Sequence, residues 1–403
     1  MELGPIWRAL LRNKGGYVLI ALQIAVTMAI MVNSIAIMQE RATNMARPSG
    51  VDEENVFVFQ SVAFALNFDE KNSIIEDLDA IRSLPGVENA IATNSYPLRG
   101  GGWSQGLALE PGTGKDTIGT AIYFVDEHGI DAFGTNVIDG ENFSPNQVDW
   151  DNPEESTWPP AGIITQALAE SLFPDETGSV VGKTVYINDD NPVKIVGIVD
   201  RLQAAWNGWD NVEHSLLVPL LRESDEVRYV VRAKPGYRDT LMPQVEQMLA
   251  QSNRGRIIRS METMDEVRSR SYFGDAAMIK ILSFVVTLLT AITGLGIVGL
   301  ASFNVSRRTR QIGVRRALGA TRPAILRYFM IENFIVSSVG IIFGGILAVA
   351  LNMFMVQAFS LTPLAWYVIP IAMIVLWIVG QAAVAGPARR ASMISPAIAT
   401  RSI

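Results

Sequence analysis

Long apolar segments alternate with polar ones along this chain, and their lengths predict four membrane-spanning helices. The segments lie at 17–38, 276–303, 328–358 and 365–386. Each reaches the roughly 20 apolar residues that a helix needs to cross a hydrocarbon core of about 30 Å. The first segment follows three basic residues and could instead be a signal sequence. Because its apolar run is long and no small-x-small cleavage site follows, we interpret it as a transmembrane helix.

The block between the first two apolar segments, residues 39–275, has the pattern of a mixed α and β domain. Residues 55–62 are rich in Val and Phe and predict a strand. Residues 69–84 have apolar positions at helical spacing after Asp69, a suitable N-cap. With a return strand at 87–93, these elements predict a β-α-β unit.

The rest of this block continues the same alternation. We predict strands at 118–125, 161–165, 184–187, 193–199, 214–218 and 227–233, and helices at 166–173 and 237–251. Gly and Pro mark 95–116 as an irregular loop, and acidic and Pro residues do the same for 144–160. Residues 262–280 have a pattern that could form one continuous helix into the second span.

The polar segment between the second and third spans, residues 304–327, is strongly basic. It contains seven arginines and no acidic residue. Lys and Arg are retained on the cytoplasmic side of membrane spans, so this segment predicts the inner face. Arg310, Gln311, Val314, Arg315 and Leu318 recur at spacings of three and four, which predicts a short amphipathic helix. Gly319 is placed to end that helix.

Charge is distributed unevenly, and this sets the predicted topology. Residues 1–16, 304–327 and 387–403 hold 13 Lys and Arg and one acidic residue, whereas residues 39–275 hold 19 basic and 38 acidic residues. Four spans then place both termini in the cytoplasm and residues 39–275 outside it. An acidic external domain argues against a nucleic-acid partner, for which a basic face is expected.

Enzymatic chemistry has little support in the sequence. There is no cysteine, and His128 and His214, the only histidines, lie in no metal or triad motif. The segment PGTGKDT (111–117) superficially resembles a phosphate-binding loop. However, Leu109 replaces the first Gly of that motif and Asp116 replaces the Ser or Thr that would bind magnesium. We interpret this segment as a solvated turn and expect no bound cofactor.

Small and charged residues inside the spans are candidates for helix packing and charge pairing. Small residues let helices approach closely in lipid, and those we select are Gly294, Gly296, Gly299, Gly340 and Gly344. They could serve packing within the chain or a subunit interface. Glu332, an ionisable residue at the start of the third span, could pair with Arg327 or Arg322.

Two tryptophans form a further candidate site. Trp206 and Trp209 lie in the segment AAWNGWD (204–210) of the external block. Exposed aromatic side chains often anchor partner proteins, although packing beneath a loop is the commoner role of such residues.

Four segments resemble one family of membrane proteins. The basic segment RQIGVRRALGATRPAIL (310–326) resembles the cytoplasmic signature of MacB/FtsX-like ABC-transporter permeases. Residues 123–144 and 163–200 are similar to stretches of MacB-type periplasmic domains, and GPARRASMISPAIATR (386–401) resembles the family's C-terminal segment. The resemblance implies four transmembrane helices plus a mixed α+β extracytoplasmic domain of MacB periplasmic type. As a departure from the family, we expect no ATPase domain fused to this chain.

The resemblance also implies a function. The chain would be a non-catalytic permease subunit that transmits ATP-driven motion of a separate ABC ATPase subunit, which binds the ATP and Mg, to the external domain for export or efflux. The implied coupling residues are Arg307, Arg308, Arg310, Gln311, Gly313, Arg315, Arg316, Leu318 and Gly319. Gln311 departs from the family pattern, which usually has Glu there.

The resemblance leaves partners and alternatives open. It implies a second permease, as a homodimer or heterodimer, and possibly a periplasmic adaptor, in a bacterial inner or plasma membrane. Lipoprotein release is one alternative activity. An FtsX-like signal relay that controls a cell-wall hydrolase is another, but the large external block favours export.

Overall fold

A computed structural model describes residues 14–151, 158–359 and 364–395. Contacts divide the described chain into two compact units. One is a helical unit, formed by the residues up to Met45 and from Gly274, and the other is an α/β domain, Ala46–Phe273. Residues 1–13 of the predicted N-terminal segment, 396–403 of the predicted C-terminal segment and 152–157 of the predicted loop 144–160 lie outside the described residues.

The helices and strands of the described residues follow the predicted alternation. The helices are α1 Lys14–Met45, α2 Glu70–Arg82, α3 Gly129–Phe133, α4 Gln166–Leu172, α5 Arg238–Ser252, α6 Met264–Ser271, α7 Phe273–Arg307, α8 Thr309–Ala317, α9 Arg322–Phe359 and α10 Val368–Ser392. The strands are β1 Val56–Ala63, β2 Val87–Thr93, β3 Trp103–Ala108, β4 Ile118–Val125, β5 Val137–Gly140, β6 Asp149–Trp150, β7 Ala161–Thr165, β8 Thr184–Ile187, β9 Asn191–Val199, β10 Ser215–Leu221, β11 Glu226–Ala233 and β12 Arg256–Thr263.

Four helices of the helical unit, α1, α7, α9 and α10, are long and apolar enough to cross a membrane. The prediction of four spans is therefore confirmed. α1 and α7 begin and end several residues outside their apolar segments, and α9 begins six residues before its segment, because polar residues there continue the helical hydrogen bonding.

The other three long helices pack against α1, which is the most buried of the four. Ile24 and Met28 of α1 belong to a core that also includes Ile297 of α7, Ile341 of α9 and Leu376 of α10. The hydroxyl oxygens of Thr27 and Thr293 lie 2.8 Å apart and join α1 to α7 by a buried hydrogen bond. Such interhelical hydrogen bonds satisfy polar groups that lipid cannot.

The α/β domain contains a four-stranded antiparallel sheet in the order β12-β1-β11-β2. β1 and β2 each pair antiparallel with β11, so they are parallel to each other with β11 between them. β11 and β12 are related in the same way, with β1 between them. Two interleaved β-α-β units in this order form a ferredoxin-like sheet. The predicted unit at 55–93 is confirmed, but its two strands are not neighbours.

A second sheet is inserted between β2 and β11. Its strands follow the order β4-β3-β8-β9-β7-β10, and a parallel pairing of β10 with β4 closes the ring. β5 and β6 pair with β9 and β10. The interior is filled by apolar side chains such as Leu107, Ile122 and Val193, each at most 1% exposed. The insertion is therefore a small closed barrel with a solid core.

A buried ion pair holds the four-stranded sheet to its helices. The Arg256 guanidinium donates two hydrogen bonds to the Asp77 carboxylate, one of them 2.7 Å long from Nη2 to Oδ1. Tyr229 Oη donates to the same carboxylate at 2.8 Å, and the hydroxyls of Ser73 and Ser252 each accept from Arg256 at 2.9 Å. Asp77 on α2 is thereby fixed to β11 and β12, which are distant in sequence.

Three predictions for this domain were wrong in detail. Residues 95–116 contain β3 and residues 144–160 contain β6, although both segments were predicted as irregular loops. The sequence pattern also did not reveal the edge strand β12 at 256–263. The predicted continuous helix 262–280 does not form. Thr263 caps α6 by accepting a hydrogen bond from the Glu266 amide at 3.2 Å, and Tyr272 then separates α6 from α7. The capping box starts a new helix where apolar periodicity alone suggested continuity.

Candidate functional site

The basic segment between α7 and α9 contains the predicted short helix, α8 (Thr309–Ala317). The helix ends as predicted at Gly319, whose φ of +96° lies in the left-handed region. The amide of Ala320 donates to Arg315 O at 3.0 Å and that of Gly319 donates to Arg316 O at 3.2 Å. This pair of bonds is the Schellman motif, which glycine permits at low conformational cost.

One face of α8 is exposed, and it is the face that the sequence pattern selected. Its residues are Arg310, Gln311, Val314, Arg315 and Leu318. Leu318 is 82% exposed and Val314 is 45% exposed. Arg307, just before α8, is exposed as well. The face therefore combines at least three positive charges with two exposed aliphatic side chains.

The opposite face of α8 is packed against α9 and α10. Ile312 is buried in a cluster with Ile325 and Phe329 of α9 and Ala388 of α10. Gly313, predicted as a coupling residue, is buried on this inner face and is not accessible to a partner. A large side chain at Gly313 would disturb this packing rather than alter a docking surface.

Two of the predicted coupling arginines point inward. Arg316 Nη1 donates to Ser392 O at 2.6 Å and to Ile394 O at 3.3 Å, at the C-terminal end of α10. A cation at this position satisfies carbonyl groups that the helix end leaves without a partner. Arg308 Nη1 donates to both carboxylate oxygens of Glu332 on α9, at 3.0 and 3.3 Å. These two arginines anchor α8 at both of its ends.

Glu332 is the centre of a buried polar cluster. It is 3% exposed. Tyr17 Oη of α1 donates to Glu332 Oε1 at 2.5 Å, and Asn304 Nδ2 of α7 donates to Tyr17 Oη at 3.0 Å. Arg308 completes the cluster and carries the positive charge that Glu332 requires. Helices α1, α7 and α9 and the start of α8 therefore meet in one hydrogen-bonded network.

The predicted pairing of Glu332 with Arg327 or Arg322 was wrong, since the partner is Arg308. Arg327 lies five residues before Glu332 on the same helix. At 3.6 residues per turn this spacing places it on a different side of α9, and only spacings of three or four bring side chains together. Tyr17 and Asn304 were missed altogether. The useful signal was that a buried acid in a span requires a cation nearby, and Arg308 directly follows α7.

The glycines selected in the spans divide into two groups. A Cβ atom on Gly340 would lie 2.7 Å from Ala21 O, and one on Gly344 would lie 2.6 Å from the Met28 Cβ. Both glycines therefore allow α9 to contact α1 closely, which is packing within the chain.

The α7 glycines have looser surroundings. A Cβ on Gly296 would lie 2.7 Å from the flexible Gln23 side chain, and one on Gly294 would only touch Val379 at 3.8 Å. Gly299 has no described atom within 4 Å of that position. Gly299 therefore contributes nothing to the helix packing among the described residues.

The tryptophan pair lies in the α/β domain and is partly buried. The rings of Trp206 and Trp209 meet edge to face at 5.7 Å. A Cβ on Gly119 would lie 2.9 Å from the Trp209 ring, so Trp209 packs closely on β4. Packing explains Trp209, while part of each ring still faces solvent.

Sequence comparisons agree with this architecture. The family described as MacB-like periplasmic core domain matches residues 18–250, and the family described as FtsX-like permease C-terminal matches residues 283–396. The macrolide export ATP-binding/permease protein MacB of Brucella abortus is 27% identical over 339 residues, which cover 81% of this chain and 48% of that protein. An uncharacterized ABC transporter permease of Bacillus subtilis, YknZ, is 26% identical over 185 residues, which cover 44% of this chain and 45% of that protein.

The structural comparison includes the periplasmic region of MacB from Actinobacillus actinomycetemcomitans. It covers 57% of this chain and 97% of that region, at 14% identity and a TM-score of 0.34. The match to this chain covers half or less of the length of the curated relatives. The first family covers more than half of the chain and the second covers α8 and the helices that anchor it, so the chain belongs to the MacB/FtsX family of ABC-transporter permeases.

Proposed function

We propose that this chain is the mechanotransmitting permease subunit of an export transporter. A separate ABC ATPase subunit, which binds ATP and Mg, docks on the exposed face of α8. Its closure moves α8, the long helices pass this motion across the membrane, and the α/β domain changes conformation on the far side.

The two-faced character of α8 carries this proposal. Its exposed face presents Arg310, Arg315, Val314 and Leu318, while Ile312 packs inward. Exposed aliphatic side chains surrounded by charge are typical of a protein-binding surface.

The anchoring of α8 supports transmission of a force. Arg308 ties its start to Glu332, and Arg316 ties its end to the C-terminal turn of α10. Through Tyr17 and Asn304 the same network reaches α1 and α7. A displacement of α8 therefore cannot occur without straining ion pairs and hydrogen bonds to all four long helices.

The charge distribution supports the orientation. The α8 segment, with seven arginines and no acid between residues 304 and 327, belongs in the cytoplasm. The acidic α/β domain then lies in the periplasm or on the extracellular side of a multi-pass protein in the inner or plasma membrane. An ATPase on one side and the working domain on the other require a mechanical link, and the helices supply it.

Export is favoured over a signal relay by the size of the external domain and by the name of the Brucella relative. The α/β domain extends from Ala46 to Phe273 and contains a complete barrel in addition to its ferredoxin-like sheet. Such a domain offers a large surface for cargo or for a periplasmic adaptor. We place Trp206 and Trp209, which keep part of their rings exposed, among the candidate adaptor contacts.

A second permease subunit is also part of the proposal, and α7 is the helix that we assign to the interface. α7 is the least buried of the four spans. The surfaces at Gly340 and Gly344 are already covered by α1, whereas no described atom lies within 4 Å of a Cβ placed on Gly299. A small residue facing outward on an exposed span lets another helix approach closely.

The test is capture of an ATPase by the full chain. Tagged protein is purified in mild detergent from its own host, and the copurifying ATP-binding subunit is identified by mass spectrometry and quantified. Leu318→Asp is expected to reduce its recovery by about tenfold or more, because a charge would replace a central apolar contact of the interface. Arg315→Glu, which reverses one of the exposed charges, is expected to act in the same direction.

Leu66→Asp is the matched control, because Leu66 is an exposed leucine of the α/β domain, at 95% exposure. It should leave ATPase recovery unchanged. Absence of any ATP-binding subunit in the wild-type sample, or equal recovery with Leu318→Asp and Leu66→Asp, would refute the proposed docking.

A further inference from the structure

The α/β domain contains a cleft with an arginine-rich wall beside an aromatic one. The cleft has a volume of about 490 Å³ and lies where the end of β2, the start of β3 and the β10–β11 connection meet. Arg99, Arg222 and Arg228 line it, together with Trp103 and Phe124. This volume lies within the range of about 300–1,000 Å³ that small-molecule sites occupy.

Two of these arginines, Arg99 and Arg228, are incompletely neutralised, whereas Arg222 is paired with Asp151 at 3.0 Å. Glu226 Oε1 lies 2.7 Å from Arg228 Nη2, 3.6 Å from Arg99 Nη2 and 3.7 Å from Arg259 Nη2. One carboxylate oxygen therefore serves three guanidinium groups. The whole lining holds three arginines and three acidic residues, so the excess of positive charge is confined to the group of arginines around Glu226.

Unused hydrogen-bond donors accompany this charge. The Nε atoms of Arg99 and Arg228 are buried and have no acceptor among the described residues. Burial, and then the nearby charge of Arg99, lower the pKa of Arg228 below its ordinary value. These Nε atoms are closed to solvent, so an anion in the cleft would contact the partly exposed terminal groups of the two arginines instead. It would supply negative charge that Glu226 alone now provides. Glu223 and Asp225 also line the cleft, but they are exposed and water screens their charges.

The backbone that presents Arg99 is held in an uncommon conformation. Leu98 has a φ of +65°, in the left-handed region that non-glycine residues rarely adopt, and it is buried. The Gly100 amide donates to Ala205 O at 2.7 Å and fixes the turn. Strain of this kind is retained where the surrounding structure enforces it, and it is common at ligand sites.

The apolar wall fits the body of a ligand. The Trp103 ring lies 5.6 Å from that of Phe124, and the Arg222 guanidinium lies 5.2 Å from the Trp103 ring centre. An aromatic or aliphatic group placed here would exclude water from the Trp103 ring, which is partly exposed. Phe124 is already buried, at 3% exposure, and packs against Trp103.

We propose that this cleft binds an amphiphilic anion, with a carboxylate or phosphate head group on Arg99 and Arg228 and an apolar body against Trp103. The site is separate from α8, so it does not depend on the proposed ATPase docking.

The experiment uses the full chain in phosphatidylcholine nanodiscs and isothermal titration with 1-naphthylacetate, an anion with an aromatic body. The neutral 1-naphthylacetamide is the matched ligand without charge. Saturable binding of the acid, with the amide at least about tenfold weaker, is expected because a charge-assisted hydrogen bond contributes about that factor or more. Affinity should also fall with added salt, since salt screens partly exposed charges.

The variants move affinity in opposite directions. Arg99→Gln and Arg228→Gln should each weaken binding by about tenfold. Glu226→Gln should strengthen it, on the order of tenfold, because it removes the carboxylate that competes for the same guanidinium groups. Arg254→Gln, at an exposed arginine outside the cleft, should bind as the wild type does.

Damage to folding cannot produce the tighter binding expected of Glu226→Gln, and Arg99→Gln changes a connecting segment rather than a central strand. Three results would overturn the proposal: no saturable binding to the wild type, equal affinity for acid and amide, or weaker binding by Glu226→Gln.

Discussion

The buried pair of Arg308 and Glu332 leads to the sharpest prediction about the helical unit. In Arg308→Met the Glu332 carboxylate loses both of its hydrogen bonds from the guanidinium, at 3.0 and 3.3 Å, and retains the one from Tyr17. Because Glu332 is 3% exposed, water cannot replace the lost partner. An ion pair broken in this way costs about 3–5 kcal/mol.

The measurement is thermal unfolding of the full chain in detergent, followed by a probe in the helical unit. For a unit of this size a loss of about 3–5 kcal/mol corresponds to a fall in Tm of roughly 6–20 °C. Glu332→Gln alone should be destabilising as well, because it leaves the positive charge of Arg308 without its partner. The double variant Arg308→Met with Glu332→Gln should lose less free energy of unfolding than the two single variants lose in sum.

Arg327→Met is the control, because Arg327 is exposed on α9 and is the partner that sequence spacing suggested. It should change stability by no more than about 0.5 kcal/mol. The reasoning would be refuted if the two single losses simply added in the double variant, or if Arg327→Met were as damaging as Arg308→Met.

Three further predictions concern stability. Asp77→Ala should destabilise the α/β domain by about 3–5 kcal/mol, because it leaves a buried guanidinium without its carboxylate; calorimetry that found no more loss than for Asp116→Ala, at an exposed aspartate, would contradict it. Gly344→Ala should cost about 1–3 kcal/mol, because its Cβ would lie 2.6 Å from a side-chain atom of α1; Gly386→Ala, with nothing within 4 Å, is the control in the same melting assay and should be harmless. Burial lowers the pKa of His214 below its ordinary value of 6.5. As the pH falls from 6.5 towards the folded pKa, the unfolded chain binds a proton at His214 and the folded chain does not, so the stability that His214 contributes above pH 6.5 is lost. The stability difference between wild type and His214→Gln should accordingly shrink between pH 7.5 and pH 5.5 in denaturant titrations, and a constant difference would exclude this role.

The local elements could be predicted because their causes are local. The apolar lengths of the four spans, the N-cap Asp69 before α2 and Gly319 after α8 each act through neighbouring residues, and the structure has all of them. The exposed face of α8 was also foreseeable, since helical periodicity alone groups Arg310 with Val314. Edge strand β12 was not, because its pairing with β1 joins segments about two hundred residues apart.

What the tertiary structure decided is which side chains meet. The sequence by itself determined that this is a four-span membrane protein with a basic helix and a separate acidic α/β domain, because hydropathy, charge and capping are properties of short segments. Whether Glu332 pairs with Arg308 or Arg327, whether Gly344 faces α1 or another chain, and whether Arg99 approaches Arg228 depend on how distant segments pack. Burial makes the free energies of these contacts large, and side chains become buried only once the chain has folded.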